Sequence, residues 1–157
     1  MYDKIIKNAL KKLIKNDLEL INRKLREECI NHKLAQYIEK EFKDYKIKTN
    51  VDLEYDKSFE DPKYYVDDSG TRINIRPDII VHERNSNKTN LIALECKKGY
   101  SSKNDRIKLY KLLSKPYKYR KTYSVSYLPS SNYILLKIFQ LEGNNQGCFS
   151  YKIQKPL

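Results

Sequence analysis

Glycine and proline are scarce in this chain, at 4 and 5 residues of 157, which excludes a linker-like composition. No apolar run approaches the ~20 residues that a membrane helix needs. The basic stretch from Met1 to Lys15 lacks the continuous apolar segment of a secretory signal. These absences predict a cytoplasmic protein that does not enter a membrane. Cysteine is sparse too. Cys29, Cys96 and Cys148 are odd in number and show no CxxC spacing, which fits neither a disulfide framework nor a zinc site. Buried or inert thiols in a reducing compartment are expected instead. Internal repeats and low-complexity tracts are also missing.

What is present suits one domain. Hydrophobic residues make up 39% of the chain and charged residues 33%. A disordered chain can share that charge, but not 14 tyrosines together with regular Ile/Leu periodicity. The formal net charge of +12 favours a polyanionic partner, nucleic acid before an acidic membrane surface. A lysine-rich composition alone would spread that charge evenly. Here it is sorted: Lys97 to Lys121 holds ten Lys/Arg against one acid, Asp105, whereas Asp52 to Asp68 holds seven acids against two lysines.

Periodicity gives an element order. Asp3 to Lys15 reads as an amphipathic helix with Ile6, Leu10, Leu13 and Ile14 on one face. It is expected to be an accessory helix (residues 1–16) on an α/β core (residues 17–157), packing on the domain or on a second copy. A second helical pattern runs from about Leu18 to Asp44 with no Gly or Pro to break it. From Ile47 to Tyr55 the alternation of apolar and polar residues predicts a strand with Val51, Leu53 and Tyr55 inward. Ser58 to Thr71 reads as a loop, Ile73 to His82 as a second strand, Glu83 to Asn90 as a turn and Leu91 to Cys96 as a third strand. The last is apolar throughout, as suits a central strand covered on both faces. A helix follows over Lys103 to Ser114 with Ile107, Tyr110 and Leu113 inward. Thr122–Leu128, Tyr133–Leu141 and Phe149–Ile153 read as closing strands, with a tight turn at Pro129 to Asn132. Helix, three strands, helix, strands: the pattern is an α/β sheet with helices packed on it.

Two segments carry chemistry. Arg76-Pro77-Asp78-Ile79-Ile80-Val81 enters a strand with a carboxylate, and Leu91-Ile92-Ala93-Leu94-Glu95-Cys96-Lys97 leaves one with Glu-x-Lys. A polar turn between them predicts an antiparallel hairpin that brings Asp78 and Glu95 together. Period two puts Glu95 and Lys97 on one face and Cys96 on the other. Two carboxylates beside an ammonium suit Mg²⁺ or Mn²⁺, with Asp78, Glu95 and the backbone carbonyl of Cys96 as ligands. A divalent cation there activates water and stabilises a developing phosphorane charge, and Lys97 orients the water or steadies the anion. The plainer alternatives are a turn role for Asp78 and a surface ion pair for Glu95 and Lys97. Against them, a carboxylate ending a buried strand needs a partner.

Pro77-Asp78 followed by Glu95-Cys96-Lys97 resembles the signature of the PD-(D/E)xK nuclease superfamily. With Val51 to Tyr55 and Leu94 to Lys98 as context, the chain resembles small stand-alone bacterial members of that superfamily over roughly Leu25 to Tyr119. The resemblance implies a restriction-endonuclease-like fold, a central mixed β-sheet flanked by helices, here with an added N-terminal helix. It also implies Mg²⁺-dependent hydrolysis of phosphodiesters, DNA first, in restriction, repair or mobile-element defence. The superfamily often adds a glutamate from the helix before the sheet. At ~100° per residue, Glu27 shares the stripe of Ile30, Leu34 and Ile38, whereas Glu28 turns toward Lys24 and His32. Glu27 is therefore the expected fourth member of the site.

Further candidates have two readings each. Glu54 is either a fourth acid of the metal site or a solvated residue. His82 shares the face of Asp78 and makes either a phosphate contact or a structural hydrogen bond. His32 is structural or exposed. Lys98, Lys103, Arg106, Lys108 and Lys111, continued by Lys115, Lys118 and Arg120, form a basic face for phosphates or for solubility. Tyr117, Tyr119 and Tyr123 either stack on bases or close a core. The alternative to a nuclease is a non-cleaving nucleic-acid-binding module, or a subunit of a defence or recombination complex docking through its first helix. A homodimer or a protein partner fits the same pattern.

Overall fold

In a computed structural model, residues 1–23, 25–55, 57–58, 61–84 and 88–157 are described. Helices α1 (Tyr2–Asn22) and α2 (Glu27–Asp44) come first. The strands β1 (Asn50–Leu53), β2 (Lys57–Ser58), β3 (Asp61–Pro62), β4 (Tyr64–Val66), β5 (Arg72–Asn74), β6 (Ile79–His82) and β7 (Asn90–Lys97) follow. Helix α3 (Lys103–Leu113) then leads to β8 (Lys121–Ser126), β9 (Tyr133–Glu142) and β10 (Asn145–Gln154). Six strands form one mixed sheet in the order β1-β6-β7-β8-β9-β10. All neighbours are antiparallel except β7 and β8. That parallel pair needs a crossover, which α3 supplies.

Each face of the sheet has its own core. Ile79, Val81, Ile92, Leu94 and Cys96 point to one face and meet α1 and α2 through Ile5, Leu10, Leu13, Ile30, Leu34 and Ile38. On the other face Ile80 and Ala93 meet Leu112, Tyr117 and Tyr119, while Leu109 and Leu113 pack with Phe139. Burial of each such Leu or Ile contributes ~1.5–3 kcal/mol. The chain is thus an α/β protein with a mixed six-stranded sheet flanked by three helices among the described residues. No helix among them is long and apolar enough to cross a membrane.

The first helix differs from the expectation of an accessory element. It runs to Asn22, and its apolar stripe, from Ile5 to Ile21, lies inside the main core. Its packing on the domain answers the question that the sequence leaves open. The break read near Lys15 survives as a kink at Asp17, φ −134° and ψ 24°, where Tyr37 donates a hydrogen bond to the carboxylate. The true interruption comes between Asn22 and Glu27, where neither Gly nor Pro stands. Ile21 and Ile30 are both fully buried, and the antiparallel packing of α1 on α2 imposes the reversal; tertiary burial overrides local propensity.

Three other boundaries move. The stretch Ile73 to His82 is two strands, β5 and β6, separated by Ile75 to Asp78. The segment read as a loop from Ser58 to Thr71 contains β3, which pairs with β2, and β4 with the turn that leads into β5. The first strand is shorter than read: in β1 Val51 packs on the α1–α2 core and Leu53 is exposed, while Tyr55 lies past the strand and packs on the opposite core. The turn at Glu83 to Asn90 closes with Glu83 N–H on Thr89 O at 3.0 Å, and its residues 85–87 lie outside the described set. Cys96 is buried as expected, whereas Cys29 and Cys148 are exposed; all three are free thiols.

Candidate active site

The strands β6 and β7 form the antiparallel hairpin read from the sequence, with Ile79 opposite Leu94. One step further along, Asp78 stands opposite Glu95. Backbone bonds fix the position of Asp78. Its N–H donates to Leu94 O at 3.0 Å, and its carbonyl accepts from Glu54 N–H at 2.8 Å. Its side chain turns back onto β7, where Oδ2 accepts from Cys96 N–H at 2.6 Å. Both acids share the α3 face of the sheet, while Cys96 belongs to the opposite core.

Electrostatics follow from that geometry. Burial pushes the Glu95 carboxyl up to about 8, with the nearby Asp78 charge as the next cause. Burial also raises Asp78, aided by the charges of Glu27 and Glu54 and opposed by the Cys96 N–H. The two carboxyls lie close enough for each to act on the other's titration. Two carboxylates cannot both ionise cheaply in such a place unless positive charge joins them. Among the described residues no three His, Cys, Asp or Glu side chains gather as a metal cluster. Any cation here would rest on the Asp78–Glu95 pair, backbone oxygens and water.

Lys97 points to the same face, as parity requires, and its Nζ lies 2.7 Å from Asp105 Oδ2. That hydrogen bond raises the lysine above its ordinary value and keeps it charged. The same Asp105 closes a capping box at the start of α3, accepting from Ser102 N–H at 2.7 Å while its own N–H donates to Ser102 Oγ at 3.1 Å. Burial raises Asp105, but the bonds from Lys97 and Ser102 outweigh it and hold the carboxyl below its ordinary value. The sequence reading missed Asp105 as a member of the site. Its signal was available: it is the lone acid in the basic run, three residues after a capping serine.

No family model matches this chain, and neither a curated protein nor a solved structure does. The functional reading therefore rests on the chain's own residues.

Glu27, in the first turn of α2, reaches the end of β7, where Oε2 accepts from Lys98 N–H at 2.6 Å. Glu28 is exposed. The stripe argument that chose Glu27 agrees with its neighbours, since Ile30, Leu34 and Ile38 are fully buried. Beneath the site, Tyr127 OH donates to Asn31 Oδ1 at 2.6 Å inside the core, which ties α2 one turn beyond Glu27 to the sheet. Glu54 follows β1, is exposed and faces Arg76 at 3.9 Å. His82 is buried and bonded to Asp52 at 2.8 Å, the structural role of its two readings. His32 is exposed on α2.

Of the basic candidates, Lys103, Arg106 and Lys111 are exposed on α3, and Lys98 and Lys108 are half-buried. The buried stripe of α3 is Asp105, Leu109, Leu112 and Leu113; Ile107 and Tyr110, read as inward, are only half-buried. The base-stacking reading of the three tyrosines does not hold. Tyr117, Tyr119 and Tyr123 are 3%, 2% and 0% exposed, and Tyr123 OH is spent on Asp3 at 2.7 Å. They close the core.

Proposed function

We propose that this chain is a metal-dependent nuclease of the PD-(D/E)xK kind on a restriction-endonuclease-like fold. Its reaction is hydrolysis of phosphodiester bonds in nucleic acid, DNA in the first place. The observation that carries the reading is the Asp78–Glu95 pair at the end of the β6–β7 hairpin, with the Lys97 ammonium on the same face. The pair fits Mg²⁺ or Mn²⁺ on its donor chemistry: two hard carboxylates, crowded enough to share a proton, with the Cys96 carbonyl as a backbone oxygen nearby. When bound, the ion supplies positive charge that offsets the carboxylates and favours attack on phosphorus.

The protein's own groups divide the remaining work. Lys97 carries three N–H donors; one is held by Asp105, and the others serve a phosphate oxygen or the attacking water. That arrangement stabilises the charge gathered on phosphorus in the transition state. Glu27 steadies the backbone just past Lys97 through Lys98 N–H. The exposed cations of α3 hold phosphates on the same side without reading sequence.

Purified protein should cleave DNA with Mg²⁺ and not with EDTA, and Lys97→Ala should abolish cleavage while binding persists. Equal activity in the two proteins would refute the mechanism. One observation favours a second reading, a non-cleaving nucleic-acid-binding module or complex subunit: Lys97 is already paired with Asp105. That reading expects binding with no metal-dependent cleavage in either protein.

A further inference from the structure

Helix α3 and the β4–β5 hairpin face each other across a groove. Its first cavity, about 360 Å³, is walled by Asn104, Lys108 and Lys111 on the helix side and by Tyr65 and Asp68 on the hairpin side. A second cavity of about 320 Å³ shares Tyr65 and Lys111 and continues past the helix end to Lys115. Neither acid of the pair lines the groove, but its helix wall runs toward them. Asn104 adjoins Asp105, the partner of Lys97, and Lys108 lies near enough to Glu95 for its charge to act on that carboxyl.

The chemistry of the walls is divided. Lys108 and Lys111, three residues apart, share one side of the helix, and Lys115, past the helix end, joins Lys111 along the second cavity. The opposite wall offers the half-buried ring of Tyr65, with the Lys111 ammonium 5.7 Å from its centroid. The hairpin tip is held firm, since Asp67 Oδ1 accepts from Ser69 N–H, Ser69 Oγ and Thr71 N–H at 2.9, 2.7 and 2.9 Å. Asp67 and Asp68 on the hairpin wall repel phosphate and keep a nucleic-acid backbone on the helix side. A cationic track with an aromatic platform is the arrangement that grips an unpaired strand. Cavities of ~300–1,000 Å³ take groups the size of one small ligand. One unpaired nucleotide enters such a space; a base pair, with both its strands, does not.

We infer that this groove binds an unpaired strand of DNA leading into the Asp78–Glu95 pair, its backbone along Lys108, Lys111 and Lys115 and a base against Tyr65. The inference rests on the nuclease reading and narrows its substrate to single-stranded or overhanging DNA. The test is fluorescence anisotropy in EDTA with three labelled oligonucleotides: a single strand, a duplex with an overhang and a blunt duplex. Metal-dependent cleavage of each is measured alongside, and thermal melts check that every variant folds.

The single strand and the overhang should bind at least tenfold more tightly than the blunt duplex. Tyr65→Ala should erase most of that ratio, about tenfold for one lost stack, while Tyr65→Phe should keep it. Lys111→Glu, an exposed change, should lower single-strand affinity further. Equal affinities for single strand and blunt duplex, with cleavage intact, would overturn this inference alone. A retained preference with no cleavage would uphold the groove and sink the nuclease reading.

Discussion

Asp105 Oδ2 stands 2.7 Å from both Lys97 Nζ and the Ser102 backbone nitrogen, so one oxygen ties the ammonium ending β7 to the first turn of α3. The crossover helix therefore sets where the cation rests. Asp105→Asn keeps an acceptor for Ser102 but removes the charge that holds Lys97. Because Lys97 is 40% exposed, the stability loss should be only about 0.5–1 kcal/mol. Single-turnover cleavage should fall about tenfold or more, in line with a misplaced catalytic group. An unchanged rate in this variant would mean that the pair has no positioning role.

The acidic pair predicts a pH dependence of known sign. Glu95 titrates at about 8 in the fold, against roughly 4.3 in an unfolded chain. Between those values the folded state holds a proton that the unfolded state has lost, so metal-free stability should fall as pH rises through that window and level off above it. Glu95→Gln should flatten the slope and melt higher than the wild type above about pH 8, because the carboxylate is gone. Added Mg²⁺ should raise the wild-type melting temperature more at the alkaline end, where no proton competes for the site. Scanning fluorimetry across pH, with and without the ion, reads all three effects. Parallel curves for the two proteins would remove the buried pair as their source.

Glu27 separates bracing from chemistry. If it acts through Lys98 N–H, Glu27→Gln should stay within about threefold of wild-type cleavage, since an amide oxygen still accepts that bond. Glu27→Ala leaves the half-buried N–H without its partner and should cost about 1–2 kcal/mol as well as activity. A glutamine variant as inactive as the alanine variant would assign the carboxylate charge itself to the reaction.

The basic face predicts a salt law. Each phosphate contact contributes roughly 0.7 to the slope of log K against log salt for a single strand and roughly 0.9 for a duplex. Arg106→Gln and Lys111→Gln should each lower the slope by about that amount in an anisotropy titration. Lines parallel to the wild type would locate the contacts elsewhere.

Period two and a continuous apolar strand made the β6–β7 hairpin legible, and with it the shared face of Asp78, Glu95 and Lys97. Helical phase made Glu27 preferable to Glu28. What stayed hidden depends on distant contacts. Nothing local says that α1 supplies a layer of the core, or that burial of Ile21 and Ile30 ends a helix between Asn22 and Glu27. On α3, Tyr110 and Leu113 pack against Phe139 as read, but the sequence pattern passes over Leu109 and Leu112, fully buried, in favour of the half-buried Ile107, since all three look equally apolar. Asp105 was seen as a lone acid, but its link to Lys97 needs the crossover to bring them together. Tyr117, Tyr119 and Tyr123 carry no local mark that separates a core tyrosine from a stacking one.

Strand β10 leaves a different mark on the molecule. It ends the sheet with ten residues paired to β9 alone, and Lys152 is the one charged side chain among them. Edges this long invite sheet-to-sheet growth unless charge or a bulge guards them. The guard here is the molecule's overall repulsion at +12, which reaches only ~10 Å at 0.1 M salt and less above it. High-salt buffers, the usual way to strip bound nucleic acid, would disarm that protection, so concentrated stocks should cloud first where they are cleanest.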